Sequence, residues 1–357
     1  MSIQLLRALA AFMVAYLHST GRGGINLLPS SGGFGVDIFF VISGFVIAFM
    51  VSKDTNNFFI KRFLRITPLY IIATLTMALA CIIFPDKINH AVSNFPAFIK
   101  SIFFIPYKIE TKFEPSGPIL GQGWTLNYEM FFYLVMAICI AFVKNKNYLG
   151  KICALVLAAI FAALNIIDSD VFLLKYYQDS LFPEFIYGIV LYYLYEYFRK
   201  KNKDYFLIKN AIINSALFGI IAIGSFIYLV GDGIYNWHII KNRNIYCGIP
   251  SLVLVLAFLN LETQIKKNKF INICMDIGDA SYVLYLFHTF MIMFFTRILF
   301  ARIIENNNSL IMSIIMEIII MFSTVMGSII IYKIIDKPIQ KILRNLLRKN
   351  IHKWHYT

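Results

Sequence analysis

Charged side chains are scarce in this sequence. Asp, Glu, Lys and Arg make up 15% of its 357 residues, against about 25% in ordinary soluble domains. That deficit excludes a water-soluble chain, because repeated apolar stretches of near-span length leave no polar face for solvent. Cysteine is sparse too: Cys81, Cys139, Cys153, Cys247 and Cys274 occur singly, without a CxxC or a metal-ligand spacing. No disulfide framework and no metal centre is implied, and the thiols read as small apolar residues. No internal repeat or low-complexity tract is long enough to mark off a second domain.

What is present is apolar and aromatic. Hydrophobic residues form 59% of the chain, with 34 Phe and 21 Tyr, and the mean hydropathy is +0.70. The fold class that follows is all-α, a polytopic bundle of about ten transmembrane helices. The expected spans are 3–19, 34–52, 68–84, 124–143, 150–167, 181–198, 210–230, 246–261, 279–300 and 309–331. An even number of spans puts both termini on one face. Placing them in the cytoplasm puts twenty-two cations in the inner loops and tail against ten outside, the orientation that loop charge selects. The net charge of +14 is therefore spread over short loops, and it argues against a nucleic-acid face, which needs clustered Lys and Arg. Residues 1–331 read as one membrane domain and 332–357 as a basic amphipathic tail on the inner leaflet. The first span also fits a cleaved leader, with Arg7, an apolar run and Ser19-Thr20-Gly21. Retaining it gives Asp37 in the next span the polar neighbour it needs.

Ionisable residues inside the spans are functional candidates, since each costs a few kcal/mol in a lipid-facing helix. Arg7 and His18 lie eleven residues apart in LLRALAAFMVAYLH, which places them on one helical stripe roughly 16 Å apart. Asp37 stands in GVDIFFVISGF and Glu129 in WTLNYEMFFYL. With His18 they fall in the outer half of the membrane, where a carboxylate can orient or deprotonate an imidazole. His18, Glu129 and Asp37 are accordingly the catalytic candidates. Lys61, Arg62 and Arg65 share a face of NNFFIKRFLRITPLY. That stretch reads either as an interfacial helix meeting anionic lipid or as a guanidinium fork for phosphates, with Pro68 in the first turn of the third span. Trp124 and Tyr128 fit an interfacial aromatic belt, and His288 sits mid-span, where a histidine ordinarily bonds within the bundle. Glu184 reads as solvated at the outer end of the sixth span, and Glu317 as mid-span without an obvious partner.

The pieces LLRALAAFMVAYLH, FGVDIFFVISGF, FFIKRFLRITPLY, GQGWTLNYEMFFYL and GDASYVLYLFH together resemble the acyltransferase 3 family of integral membrane O-acyltransferases, especially its bacterial exopolysaccharide and O-antigen acetyltransferases. The resemblance implies acetyl-CoA, or another acyl-CoA, as a cytoplasmic donor substrate, with no permanently bound cofactor. It implies as acceptor a surface glycan or lipid-linked oligosaccharide, in a bacterial cytoplasmic (inner) membrane, with membrane lipid and polysaccharide-assembly proteins as partners. Arg7, Arg62 and Arg65 become donor-binding residues, and Trp124, Tyr128 and His288 acceptor-binding ones. Some relatives append an esterase-like domain for which this chain has no room, which favours transfer within the membrane domain or with a separate partner. The rival reading is a transporter or flippase for a lipid-linked glycan, but two similar halves with broken helices are not evident.

Overall fold

A computed structural model describes residues 1–23, 32–84, 95–108, 116–167, 169–178, 181–201, 208–235, 242–299 and 309–354. The described residues are almost all helical, as expected, and nine helices are long and apolar enough to cross a membrane. In chain order the helices are α1 (Ser2–Gly23), α2 (Gly35–Lys53), α3 (Phe58–Ile83), α4 (Phe95–Ile102), α5 (Gly123–Phe142), α6 (Lys146–Ile166) and α7 (Phe172–Tyr177). They continue with α8 (Pro183–Lys201), α9 (Ala211–Tyr235), α10 (Ile249–Leu261), α11 (Lys269–Asp279) and α12 (Ser281–Phe294). A last long helix, Leu310–Ile331, runs through a π-helical turn, Tyr332–Asp336, into a tail helix, Lys337–Trp354. Among the described residues one strand pair joins Tyr107–Lys108 to Ser116–Gly117. It lies between the third and fourth expected spans, in a stretch part of which falls outside the described residues.

The nine apolar helices account for nine of the ten expected spans. The remaining one, 181–198, is helix α8. Its tyrosines and its end charges Glu196, Arg199, Lys200 and Lys201 leave it short of the apolar character of the others. It is nonetheless clamped to α2 more closely than ordinary side chains permit. A Cβ at Gly44 would stand 2.1 Å from the Phe185 carbonyl oxygen, and one at Gly188 would stand 2.1 Å from that of Val41. Small residues allow this backbone approach within membranes, where packing replaces the hydrophobic drive. Phe40 stacks on Phe185 above the contact, with ring centroids 4.6 Å apart.

Helix α3 departs from expectation in a way that matters for the site. It begins at Phe58, ten residues before the expected span, so Arg62 and Arg65 belong to a continuous helix rather than a separate interfacial one. Pro68 is therefore in its interior, not its first turn. A proline there has no N–H and strips the carbonyl four residues earlier of its donor. That carbonyl is Leu64's, and Gln340 of the tail helix supplies the missing donor through Nε2, at 3.3 Å to Leu64 O and 3.1 Å to Arg65 O. Tyr282 Oη donates to Ile66 O at 2.8 Å. A tail residue thus supplies the donor that proline removes, and a residue of α12 adds a bond to the same turn of α3.

Helix ends gather at one rim. The Met1 ammonium lies 2.8 Å from Glu262 Oε1, the Ser2 N–H bonds Glu262 Oε2 at 2.7 Å, and Gln4 bonds Asp279. Burial pushes the Glu262 carboxyl up, but the bonds from the terminal ammonium and Ser2 outweigh it and hold Glu262 below its ordinary value. Its contribution to stability is complete above the unfolded carboxylate range and is lost as pH falls through the depressed folded value. Glu262→Gln should flatten the acid side of a thermal-unfolding profile and leave the neutral side parallel to the parent; an unchanged acid limb would refute the anchor. Orientation is tested separately on an active cysteine-free background. An impermeant maleimide added to intact cells should label Lys108→Cys and spare Lys267→Cys, both being exposed positions. The opposite pattern would invert the topology.

Candidate active site

Five elements converge on a cavity of about 140 Å³, room for several waters. Helical spacing explains the lining. Arg62 and Arg65 of α3 stand at i and i+3, Glu129 and Tyr133 of α5 at i and i+4, and Ser281 and Tyr285 of α12 likewise, so each pair faces one way. Arg7 of α1 and Ser43 of α2 complete the polar wall. Arg7 Nε donates to Ser281 Oγ at 3.2 Å. Glu129 accepts from Ser43 Oγ at 3.2 Å and from Tyr133 Oη. Three guanidiniums and one carboxylate leave the wall cationic.

The two arginines of α3 are not equivalent. Arg65 is committed, with Nη1 2.8 and 3.1 Å from the two oxygens of Asp336, a carboxylate only 1% exposed. Its guanidinium also lies over the Tyr282 ring, 5.5 Å from the centroid. Arg62 Nη2 meets the Met50 thioether at 2.9 Å, a weak acceptor. Its buried Nε has no hydrogen-bond partner among the described residues. Arg62 also lines a second cavity of about 180 Å³ at the α2–α3 turn, with Lys53, Lys61, Asp54 and Phe49. The side chain stands at the boundary between an end-of-helix chamber and the central one. Lys61 bonds Asp54 at 2.8 Å and holds that carboxyl below its usual range.

His18 lies elsewhere, eleven residues along α1 from Arg7. Its ring meets the His288 ring edge-on, with centroids 4.9 Å apart. His18 Nδ1 lies 2.9 Å from Val14 O, and His288 Nδ1 lies 2.8 Å from Tyr285 O and 3.2 Å from Leu284 O. A carbonyl only accepts, so each Nδ1 carries the proton and each Nε2 is left as the basic nitrogen. The adjacent Ser19 donates to Glu317 Oε1, which gives Glu317 the partner the sequence did not suggest.

This arrangement redistributes the expected triad. Glu129 faces Arg7, Arg62 and Arg65 in the cavity, rather than sharing a depth with His18. The segment before α5 is itself buried, with Pro118, Ile119, Leu120 and Gln122 enclosed, so counting from the start of the span underestimates the depth of Glu129. Asp37 is fully buried and bound by Arg243, Nε to Oδ1 at 2.9 Å and Nη2 to Oδ2 at 2.7 Å, while the same Nη2 reaches Gly33 O at 2.8 Å. The imidazole tautomer is held by backbone carbonyls, the task the sequence had assigned to Glu129 or Asp37. Glu184 is buried against Gly248 instead of solvated. Tyr128 stacks on Tyr176, with centroids 5.0 Å apart, and Tyr176 Oη donates to Trp124 O at 2.8 Å. Tyr128 is therefore packed inside the protein, and neither it nor Trp124 lines the cavity. Arg243, Tyr133, Ser43, Ser281 and Asp336 were missed in the sequence. Only Arg243, a cation immediately before an apolar run, carried any signal.

The class defined by this geometry is an integral membrane helical protein with a cationic interior cavity and a tautomer-fixed histidine pair. Residues 2–333 match the acyltransferase 3 family, described as an acyltransferase domain, and the chain belongs to that family. It is 31% identical over 266 residues to the exopolysaccharide production protein ExoZ of Rhizobium meliloti, covering 73% of this chain and 77% of that one. It is 23% identical to a putative O-acetyltransferase of Staphylococcus aureus strain COL, over 81% of this chain and 50% of the relative. It is 25% identical to the peptidoglycan O-acetyltransferase OatA of Listeria monocytogenes, over 80% and 58%. The matched region thus spans half the length of the Staphylococcus aureus relative and 58% of the Listeria monocytogenes one. No solved structure matches it.

The Asp37–Arg243 pair sets a stability test. Removing one member of a buried pair strands the other charge and costs about 3–5 kcal/mol, whereas an apolar replacement of both is far milder. Arg243→Leu and Asp37→Leu should each reduce resistance to denaturant sharply, and the double substitution should recover part of the loss. Additive losses would show that the pair is not a unit.

Proposed function

We propose that this protein transfers an acyl group, acetyl by default, from cytoplasmic acyl-CoA to a sugar hydroxyl of a cell-surface polysaccharide or its lipid-linked precursor, at the outer face of a bacterial cytoplasmic membrane. One observation carries the reading. Arg62, whose buried Nε has no hydrogen-bond partner among the described residues, stands between an end-of-helix chamber and a cationic cavity reached by Arg7, and Arg7 is on the helix that presents His18. Guanidinium groups grip phosphate oxygens through paired donors, so the end chamber suits the phosphates of a CoA ester. A slender thioester arm could then pass Arg7 toward His18, roughly 16 Å further along α1. The names of the relatives point to polysaccharide: exopolysaccharide production for one and peptidoglycan O-acetylation for another.

The chemistry assigned to these residues is acyl transfer assisted by a general base. The acceptor hydroxyl oxygen attacks the thioester carbonyl while His18 Nε2 takes the hydroxyl proton. The C–S bond then breaks, and the departing thiolate receives that proton from the imidazolium. An imidazole suits both steps because its unperturbed pKa, about 6.5, lies near working pH. Val14 O, by holding Nδ1–H, keeps Nε2 available for the first step. His288, edge-on to His18, borders the place where the hydroxyl would sit. Glu129, bound to Tyr133 and Ser43, balances part of the cavity's charge. A closed bundle around the thioester would also limit its hydrolysis.

Inverted vesicles supplied with labelled acetyl-CoA test the activity. Covalent label in glycan supports transfer, and glycan movement without label supports the flippase instead. His18→Ala should lower transfer by about 10²-fold or more at normal membrane abundance; near-parental transfer would remove His18 from catalysis. Arg62→Lys keeps the charge but loses the fork and should weaken acetyl-CoA binding roughly tenfold in calorimetry. Arg7→Leu should cut turnover while the donor still docks. Parental turnover by the Arg7 variant would place the acyl path elsewhere.

A further inference from the structure

We propose that Asp336 and Gln340, on the tail side of the last long helix, are positioning residues of the donor site: they hold Arg65 and its segment of α3 so that Arg62 is presented to the donor. The proposal rests on the donor reading given above. Three observations carry it. Asp336 is 1% exposed and takes Arg65 Nη1 on both of its oxygens. Gln340 Nε2 bonds the carbonyls of Leu64 and Arg65, and also Asp336 Oδ1 at 3.3 Å. Finally, Asp336 closes the π-helical turn Tyr332–Asp336, and such insertions re-aim side chains and recur at functional sites.

Each contact has a physical necessity. Pro68 leaves Leu64 O without its helical donor, and an unsatisfied carbonyl in a membrane bundle is costly. Gln340 reaches that oxygen from the turn after Asp336, because i and i+4 share a helix face. One residue pair therefore fixes both the backbone and a side chain of the Arg62–Arg65 turn. The ion pair also decides which arginine is available. Were a donor phosphate to pull Arg65 away, the enclosed Asp336 carboxylate would be stranded, which is strongly unfavourable. Arg65 thus serves as the anchor, while Arg62, three residues earlier on the same face, meets the ligand.

Calorimetry with acetyl-CoA on the full-length protein in lipid nanodiscs tests this, alongside thermal-unfolding midpoints. Asp336→Asn removes the charge and keeps the shape, while Gln340→Leu removes the donor to the proline-freed carbonyl. Both should raise the acetyl-CoA Kd by roughly tenfold, the equivalent of one lost charge-assisted bond, in protein that remains folded. Gln340→Lys, which still donates, should bind more tightly than Gln340→Leu. Parental Kd in folded Asp336→Asn and Gln340→Leu overturns the proposal even where their unfolding midpoints fall, because that is the signature of a merely structural brace. Failure of the parent itself to bind acetyl-CoA overturns the donor reading and this proposal with it.

Discussion

Charge enclosed in an apolar bundle must be answered by polar groups of the protein, because hydrocarbon offers none. Most of the architecture around the site follows from meeting that constraint. Asp37 of α2 is met by Arg243, Arg65 of α3 by Asp336, Glu129 of α5 by Tyr133 and Ser43, and Glu317 by Ser19. Each of these contacts but the Glu129–Tyr133 bond joins different helices, so the polar groups also pin the bundle's register. Arg62 is answered less completely: among the described residues its Nη2 meets the Met50 thioether and its buried Nε has no hydrogen-bond partner.

The packing of α2 makes the cavity possible. One side of the helix lies backbone to backbone on α8 through Gly44 and Gly188, and Ser43, the neighbour of Gly44, faces the cavity. The tight seam thus fixes the rotation of α2, and with it the direction of Ser43 toward Glu129. Pro68 works in a comparable way on α3. By freeing the Leu64 carbonyl it creates a demand that Gln340 fills, and the tail helix is drawn against the arginine turn. Two backbone irregularities, a glycine contact and an interior proline, therefore place the polar residues.

The titratable groups within the bundle are separated along α1: the guanidiniums of Arg7, Arg62 and Arg65 line the central cavity, and the imidazoles of His18 and His288 meet toward the other end of the helix, each with Nδ1 against a main-chain carbonyl. A carbonyl within the same helix is a dependable partner for this task, since it needs no second titratable group. That frees Asp37 and Glu129 for ion pairing and charge balance, and it keeps the basic nitrogens directed away from their own helices.

The sequence by itself determined the membrane class, the approximate spans, the alignment of Arg7 with His18, and the common face of Arg62 and Arg65. All of these depend on hydropathy or on geometry within one helix, where the rise and turn per residue are set by the backbone. The family could be seen there too, because its motifs are contiguous segments. Only the tertiary structure decided who answers whom. Asp37 finds Arg243 across 206 residues, Arg65 finds Asp336 across 271, and Ser19 finds Glu317 across 298. Such choices depend on how each helix is rotated about its axis, and helices apolar on every side carry little periodic signal of that rotation. The depth of Glu129 was hidden for a related reason: the irregular segment preceding α5 is buried by contacts from other helices, and no local pattern in the chain records how far it sinks.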